Sequence, residues 1–158
     1  MSQLYKLNFN ATVFENGSGI GAMIRNAARE VMVALSARGA AMSDSEEAEA
    51  LACRKSMEFA IDAGFSEMII EGDNVTVISV VSSSSPNWSH LGVIYDDIGC
   101  LAIGLRYVVF NCIRRSANSM AHSLASYTNV LDEEVVWLKE SPPPPRDALF
   151  FYSSFLNE

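Results

Sequence analysis

The sequence predicts an α/β fold in which a mixed five-stranded sheet is flanked by helices. Three consecutive segments near the N-terminus alternate apolar and polar residues, which is typical of strands with one buried face. The rest of the chain alternates helical patterns with short apolar strands. Strands joined in direct succession form an antiparallel meander, whereas strands separated by helices run parallel, so the sheet is expected to be mixed. A chain of 158 residues has the length of one domain with one core.

The predicted strands follow from period-two patterning and from the turns between them. In the first strand, apolar residues such as Leu7 and Phe9 fall on one face, and the intervening polar residues, including Asn10, fall on the other. A turn at Asn16-Gly17-Ser18-Gly19 predicts that the second strand returns as a hairpin. The five predicted strands cover residues 4–14, 19–25, 31–37, 65–71 and 105–113.

The predicted helices are recognised by their caps and their apolar spacing. Ser43 and Glu46 fit a capping box at the start of the first helix, and Gly64 marks its end. A serine-rich loop at residues 82–86 separates the next two helices, and Ser116 is expected to cap the last. The four predicted helices cover residues 46–63, 73–81, 90–103 and 116–127.

The segment after residue 131 has a different composition. Residues 1–131 are predicted to form the domain, and residues 132–158 form a proline-rich tail that contains Pro142 to Pro145. Consecutive prolines favour a stiff extended chain rather than a helix. Apolar residues flank the prolines at 135–138 and 149–152, so the tail is expected to pack on the domain or on a partner.

Charge and cysteine content restrict the functional classes. The net charge is −8 at pH 7, whereas nucleic-acid-binding domains usually carry a basic face. The best local basic patch that the sequence offers is Arg114-Arg115, the candidate nucleic-acid contact. The three cysteines lie far apart in the sequence with no CxxC pair, so they are expected to be reduced. No secretory signal and no membrane-spanning apolar run is apparent, so an intracellular location is expected, with cytoplasm and nucleus not distinguished.

Four short motifs carry a family resemblance. They are KLNFNA at residues 6–11, EEAEALAC at 46–53, IIEGDNVTV at 69–77 and IRRSANSMAHSLA at 113–125. In this order and spacing they resemble the plant ribonuclease H type-1, reverse-transcriptase-related domain family of the ribonuclease H superfamily. The ending EEVVWLKESPP resembles the same group, and the resemblance covers residues 4–147. It implies a ribonuclease H-like fold, a plant source and descent from a retroelement.

The resemblance also implies a metal-dependent site. Active relatives use four carboxylates to hold two hard cations that activate water for phosphodiester cleavage. The matching positions here are Asn10, Glu49, Asp73 and His122. Asn10 and His122 therefore replace two of the four metal-binding aspartates, which leaves Glu49 and Asp73 as family ligands. Glu71 lies two residues before Asp73 and is a candidate third carboxylate.

Each of these residues also has a simpler structural interpretation. Glu49 fits an ordinary acid of the first helical turn, and Asp73 fits an N-cap. Glu71 fits a solvent-exposed strand end. His122 lies four residues after Asn118, so a hydrogen bond along the helix surface is its alternative.

Three functional hypotheses follow. The first is a degenerate ribonuclease H type-1-like domain, a pseudoenzyme that retains weak binding to RNA or RNA/DNA hybrid. The second is an active metal-dependent RNA-DNA hybrid ribonuclease, rescued by Glu71 and by Mn²⁺ at His122, since imidazole is a poor Mg²⁺ ligand. The third is a protein-interaction module that uses the acidic surface or the hydrophobic tail. Mg²⁺ or Mn²⁺ is the expected cofactor if the metal site survives, and no membrane partner is expected.

Overall fold

The computed structural model describes residues 4–83, 85–131 and 133–138. Its strands are β1 (Tyr5–Phe14), β2 (Gly17–Arg25), β3 (Val31–Gly39), β4 (Glu67–Gly72), β5 (Tyr107–Cys112) and β6 (Val135–Leu138). Its α-helices are α1 (Ser45–Asp62), α2 (Val75–Val81), α3 (Gly92–Ile103) and α4 (Ser119–Tyr127). Short 3-10 turns at Arg115–Asn118 and Thr128–Val130 flank α4.

One sheet contains all six strands in the order β5-β4-β1-β2-β3-β6. The first three strands pair antiparallel, whereas β4 pairs parallel with β1 and β5 pairs parallel with β4. The predicted α/β class and mixed sheet are therefore confirmed. The sheet is one strand wider than predicted because residues 135–138 pair antiparallel with β3. The prolines and the last apolar segment of the predicted tail lie outside the described residues, so the packing of that segment stays a prediction.

The two faces of the sheet have different environments. Leu7 and Phe9 belong to the larger core, which also contains residues of α1 such as Met57. On the opposite face Met23 packs with Leu124 of α4 in a second, smaller core. The period-two pattern of the first strand thus separates an apolar face under α1 from a polar face beside α4.

Two glycines in β2 let α4 approach the sheet closely. A Cβ atom added to Gly21 would lie 2.1 Å from the carbonyl oxygen of Ala121, and one added to Gly19 would lie 2.2 Å from that of Ala125. Any larger residue would push the helix outward. Gly19, which belongs to the turn that predicted the hairpin, and Gly21 therefore set the distance between α4 and the sheet.

Several predicted helix caps differ from the observed ones. Asp44, rather than Ser43, caps α1 and accepts a hydrogen bond from the Glu46 backbone. Asn74 caps α2, because its side chain accepts from the Val77 amide. Ser116 lies inside a 3-10 turn instead of capping the last helix. Among the described residues, no helix combines the length and the apolar character needed to cross a membrane.

Candidate functional site

The candidate site lies where β1 extends beyond its neighbour β4. The parallel pairing of these strands runs from Tyr5↔Met68 to Asn8↔Glu71. Beyond Asn8 the edge of β1 on this side faces the start of α1 instead of another strand. The backbone amide of Ala11 consequently donates to Glu49 Oε1 at 3.0 Å. This bond brings a helix carboxylate to the end of a strand.

Asn10 is the centre of a group of four side chains. Its Nδ2 donates to Glu49 Oε1 at 3.4 Å and to Asp73 Oδ2 at 3.3 Å. Its Oδ1 lies 3.3 Å from Nδ1 of His122, which donates when that nitrogen carries the ring proton. The structure thus brings together all four positions that the sequence resemblance singled out. Asp73 is not the helix cap, and His122 of α4 contacts Asn10 on the sheet face that this helix covers, a contact outside its own helix.

Asn118 belongs to the same cluster but was missed as a site residue. Its Nδ2 donates to the backbone oxygen of Phe9 at 2.8 Å and contacts Asp73 Oδ2 at 3.5 Å, while its Oδ1 accepts from Asn8 Nδ2 at 3.2 Å. The side chain is 1% exposed. It therefore joins β1 to the 3-10 turn before α4 and positions Asp73. The sequence signal that could have identified it was its position in the family motif IRRSANSMAHSLA at residues 113–125.

Glu71 is joined to this cluster only through Asn8, whose Nδ2 donates to both Glu71 and Asn118. Its Oε1 accepts from Arg25 Nη2 and from Asn8 Nδ2, both at 3.3 Å, and its Oε2 lies 3.9 Å from Lys6 Nζ. The carboxylate is buried, unlike the exposed strand end of its simpler interpretation. These bonds direct it toward the basic side chains and away from the group around Asn10. Its role as a third metal ligand stays a prediction, and these contacts do not favour it.

Burial controls the ionisation of Glu49. Its pKa is raised to about 7, with loss of solvent as the largest cause; the Ala11 amide lowers the pKa, the neighbouring Asp73 carboxylate raises it and Arg115 lowers it. Its Oε2 is buried and has no hydrogen-bond partner among the described residues. At neutral pH this carboxyl is therefore protonated in part of the population, and the site carries less negative charge than two carboxylates imply.

The two predicted nucleic-acid contacts lie beside this group. Arg114 and Arg115 are exposed at the start of the 3-10 turn, and neither has an ion pair with a residue in the described part of the chain. Arg115 is near enough to lower the pKa of Glu49 electrostatically. Both guanidinium groups are thus available to an external anion next to the candidate site.

A second set of potential metal ligands lies at the start of α1. Asp44, Glu47 and His90 have ligand atoms within 4.8 Å of one another, and His90 Nε2 is 3.5 Å from Asp44 Oδ2. The sequence did not predict this set. It shares no residue with the group around Asn10.

The strand order, the helix placement and the convergence of these side chains define a ribonuclease H-like domain. The model of the reverse transcriptase-like family matches residues 8–128, and the chain belongs to this family. No match was found among curated protein sequences. Plant origin stays a prediction of the sequence resemblance.

Solved structures of ribonucleases H have the same fold. Ribonuclease H1 from the archaeon Halobacterium salinarum is 18% identical with a TM-score of 0.73, over 80% of this chain and 97% of that chain. The N-terminal RNase H domain of a Mycobacterium tuberculosis protein is 20% identical with a TM-score of 0.71, over 80% of this chain and 93% of that one. LC11-RNase H1, solved in complex with an RNA/DNA hybrid, is 17% identical with a TM-score of 0.68, over 78% of this chain and 94% of that one.

Proposed function

We propose that this domain binds RNA/DNA hybrid or RNA weakly and does not cleave it efficiently, as a degenerate ribonuclease H type-1-like domain. The observation that carries the proposal is the side-chain amide of Asn10. Its nitrogen donates to both remaining carboxylates of the site, Glu49 and Asp73. A neutral donor group therefore meets the oxygens that would otherwise face a cation.

The donor set does not fit a pair of divalent cations. Two such ions bring four positive charges, whereas the carboxylates in the group around Asn10 are those of Asp73 and Glu49. The one oxygen of the Asn10 side chain faces His122 instead of the carboxylates. Imidazole suits Mn²⁺ better than Mg²⁺. Binding of either ion is expected to be weak, and no catalytic step is assigned to it.

The binding half of the proposal rests on charge placement. Arg114 and Arg115 are exposed at the start of the 3-10 turn that also carries Asn118 of the candidate site. LC11-RNase H1, which has the same fold, was solved with a bound RNA/DNA hybrid. Because the whole chain carries a net charge of −8, binding is expected to be weak and strongly dependent on salt.

A cleavage assay tests the loss of catalysis. The domain is incubated with a hybrid in Mg²⁺ and in Mn²⁺, and no turnover above background is expected. Turnover that chelator and Glu49→Gln both abolish would instead establish the active metal-dependent ribonuclease.

A fluorescence titration with hybrid at low and moderate salt tests binding. Arg114→Ala/Arg115→Ala should lower the salt slope by about two. Arg54→Gln/Lys55→Gln is the matched control, since it removes two cations from α1 on the opposite side of the sheet. Equal slopes for the two double variants would contradict the assignment of Arg114 and Arg115.

A protein-interaction module is the second candidate. The acidic surface favours it, and so do large exposed apolar side chains on and before α3: Trp88 is 92% exposed and Ile103 is 86% exposed. Absence of hybrid binding even at low salt would favour this module. Descent from a retroelement and an intracellular location stay predictions under either proposal.

A further inference from the structure

A basic pocket lies on the same sheet face as Asn10, toward the start of β1. Its cavity volume is about 340 Å³, and Lys6, Arg25 and Arg29 contribute its charged lining. Within the described residues no carboxylate lines it. Such a concentration of cations is unexpected on a chain with a net charge of −8. The pocket therefore has the electrostatics of an anion site.

Pairing between strands holds two of the cations side by side. Lys6 lies opposite Arg25 in the register of β1 and β2. Arg25 is mostly buried, with 16% of its side chain exposed, and it donates to Asn8 Oδ1 at 3.0 Å and to Glu71 Oε1 at 3.3 Å. Glu71, which is not in the cavity lining, thus orients Arg25 and also lies 3.9 Å from Lys6 Nζ, so it offsets part of the charge of these two cations. This arrangement leaves the guanidinium held at a defined position.

The turn between β2 and β3 presents the third cation. Asn26 organises this turn, because its Oδ1 accepts from the amides of Ala28 and Glu30 at 2.9 Å each. The turn places Arg29 at a φ of 66°, a left-handed conformation that is unfavourable for a residue with a side chain. Glu30 is held by Asn26 in the same turn, and it does not line the pocket. Burial is the largest cause that lowers the pKa of Arg25, the charge of Glu71 raises it, and the smaller effect of Arg29, which lowers it, places the two guanidinium groups within electrostatic range of each other.

The pocket is connected to the candidate site. Lys6, Asn8 and Asn10 occupy alternate positions on one strand face, so Lys6 lies about 13 Å along β1 from Asn10. Hydrogen bonds run from Arg25 through Asn8 to Asn118, which contacts Asp73. A distance of about 13 Å is well within one ~34 Å turn of a nucleic-acid duplex. A strand that reached both places would pass over the 3-10 turn, because Asn8, which lies between them, is buried beneath Asn118.

We propose that the pocket formed by Lys6, Arg25 and Arg29 binds a backbone phosphate of the nucleic acid that lies over the candidate site. This inference rests on the proposed nucleic-acid binding and adds a defined second contact to it. Arginine binds phosphate through its fork of N–H donors, and lysine adds a point charge. The mostly buried Arg25 provides the fixed geometry, while the exposed Lys6 and Arg29 contact the phosphate from the rim.

The test uses Lys6→Gln/Arg29→Asn in the full chain. Both residues are exposed enough to be replaced without opening a core, and asparagine tolerates the left-handed conformation at position 29. Hybrid affinity is measured across a salt series against the matched Arg54→Gln/Lys55→Gln control, which lowers the net charge equally. Loss of one phosphate contact should lower the salt slope by about one and weaken binding roughly eightfold at ~0.1 M salt.

A second arm uses inorganic phosphate at constant ionic strength and follows the Arg25 Nε–H signal by NMR. A saturable shift in the wild type that is absent from Lys6→Gln/Arg29→Asn, together with the expected loss of hybrid affinity, supports the proposal. Hybrid binding that the variant weakens no more than the control overturns the pocket and leaves the proposed function intact. Phosphate binding without hybrid binding overturns both, and it identifies a small phosphate compound as the ligand. Absence of both hybrid binding and a phosphate-induced shift also overturns the pocket and the proposed function.

Discussion

Glu49 is expected to make the folded domain less stable as the pH rises. The folded state holds its proton up to a pKa of about 7, whereas the unfolded chain releases it near the ordinary value of 4.5. Between these two values the folded state binds more protons than the unfolded state, so the free energy of unfolding falls with increasing pH. The stability that this proton contributes is fully present below pH 4.5 and is lost as the pH passes about 7.

The size of the effect follows from the same two values. The difference between 4.5 and about 7 corresponds to about 3 kcal/mol at ~1.4 kcal/mol per pKa unit. About 2 kcal/mol of this is lost between about pH 5.5 and about pH 8. Because Glu49 is only 7% exposed, solvent screening reduces this figure little.

Urea denaturation of the wild type and of Glu49→Gln over this pH range isolates the carboxyl group. Glutamine keeps an oxygen for the Ala11 amide but does not titrate, so it serves as the matched reference for all other ionisable groups. Relative to the wild type, the free energy of unfolding of the variant should increase by about 2 kcal/mol as the pH rises from about 5.5 to about 8. Parallel stability curves for the two proteins would refute both the burial of the charge and the reasoning from it.

Three further predictions concern the site, the thiols and the packing of α4. The double variant Asn10→Asp/His122→Asp should gain Mg²⁺-dependent hybrid cleavage and Mg²⁺-dependent thermal stability. Neither single variant should gain them, because a two-metal site needs all its ligands. A folded double variant that neither binds Mg²⁺ nor cleaves would contradict the residue assignments. Thiol titration of the denatured, unreduced protein should find three free thiols, and a count of one would reveal a disulfide. In the native protein, the buried Cys53 should react more slowly than the two exposed cysteines. Gly21→Ala should destabilise the domain by about 1–3 kcal/mol or more, since the new Cβ would lie 2.1 Å from a backbone oxygen of α4. Gly99→Ala is the control, because a Cβ atom added there would have no neighbouring group within 4 Å and alanine slightly raises helix propensity. Equal losses of melting temperature for the two variants would contradict the close-packing argument.

The sheet and its faces were readable from the sequence because they depend on local periodicity. The alternation in residues 4–14 predicted correctly that Phe9 is buried and that Asn10 shares the other face with Asn8. Strand β6 was not predicted, since four residues carry too little periodicity to be recognised. Its pairing with β3 depends on an edge that exists only in the folded sheet. Cap positions shifted by one residue because neighbouring Ser, Asp and Asn side chains are all good caps, and the local backbone chooses among them.

The candidate site was predictable only in part. Family motifs pointed to Asn10, Glu49, Asp73 and His122, and the structure places all four in one group. The motifs did not show which side-chain atoms form hydrogen bonds with one another. The contacts that decide the chemistry, from the amide of Asn10 to two carboxylates and from Asn118 to Asp73, join residues 39 to 63 positions apart in the chain.

The sequence by itself determined the class of fold and the order of its four helices and first five strands, and through the family resemblance it predicted that Asn10 and His122 replace two family carboxylates. These features depend on local residue identity and spacing, which act before any tertiary contact forms. Only the tertiary structure decided that Glu71 pairs with Arg25 instead of joining Asp73, that burial raises the pKa of Glu49, and that Lys6, Arg25 and Arg29 surround one pocket. Each of these outcomes depends on distance, burial and charge between segments remote in the chain, and those quantities exist only once the strands and helices have packed.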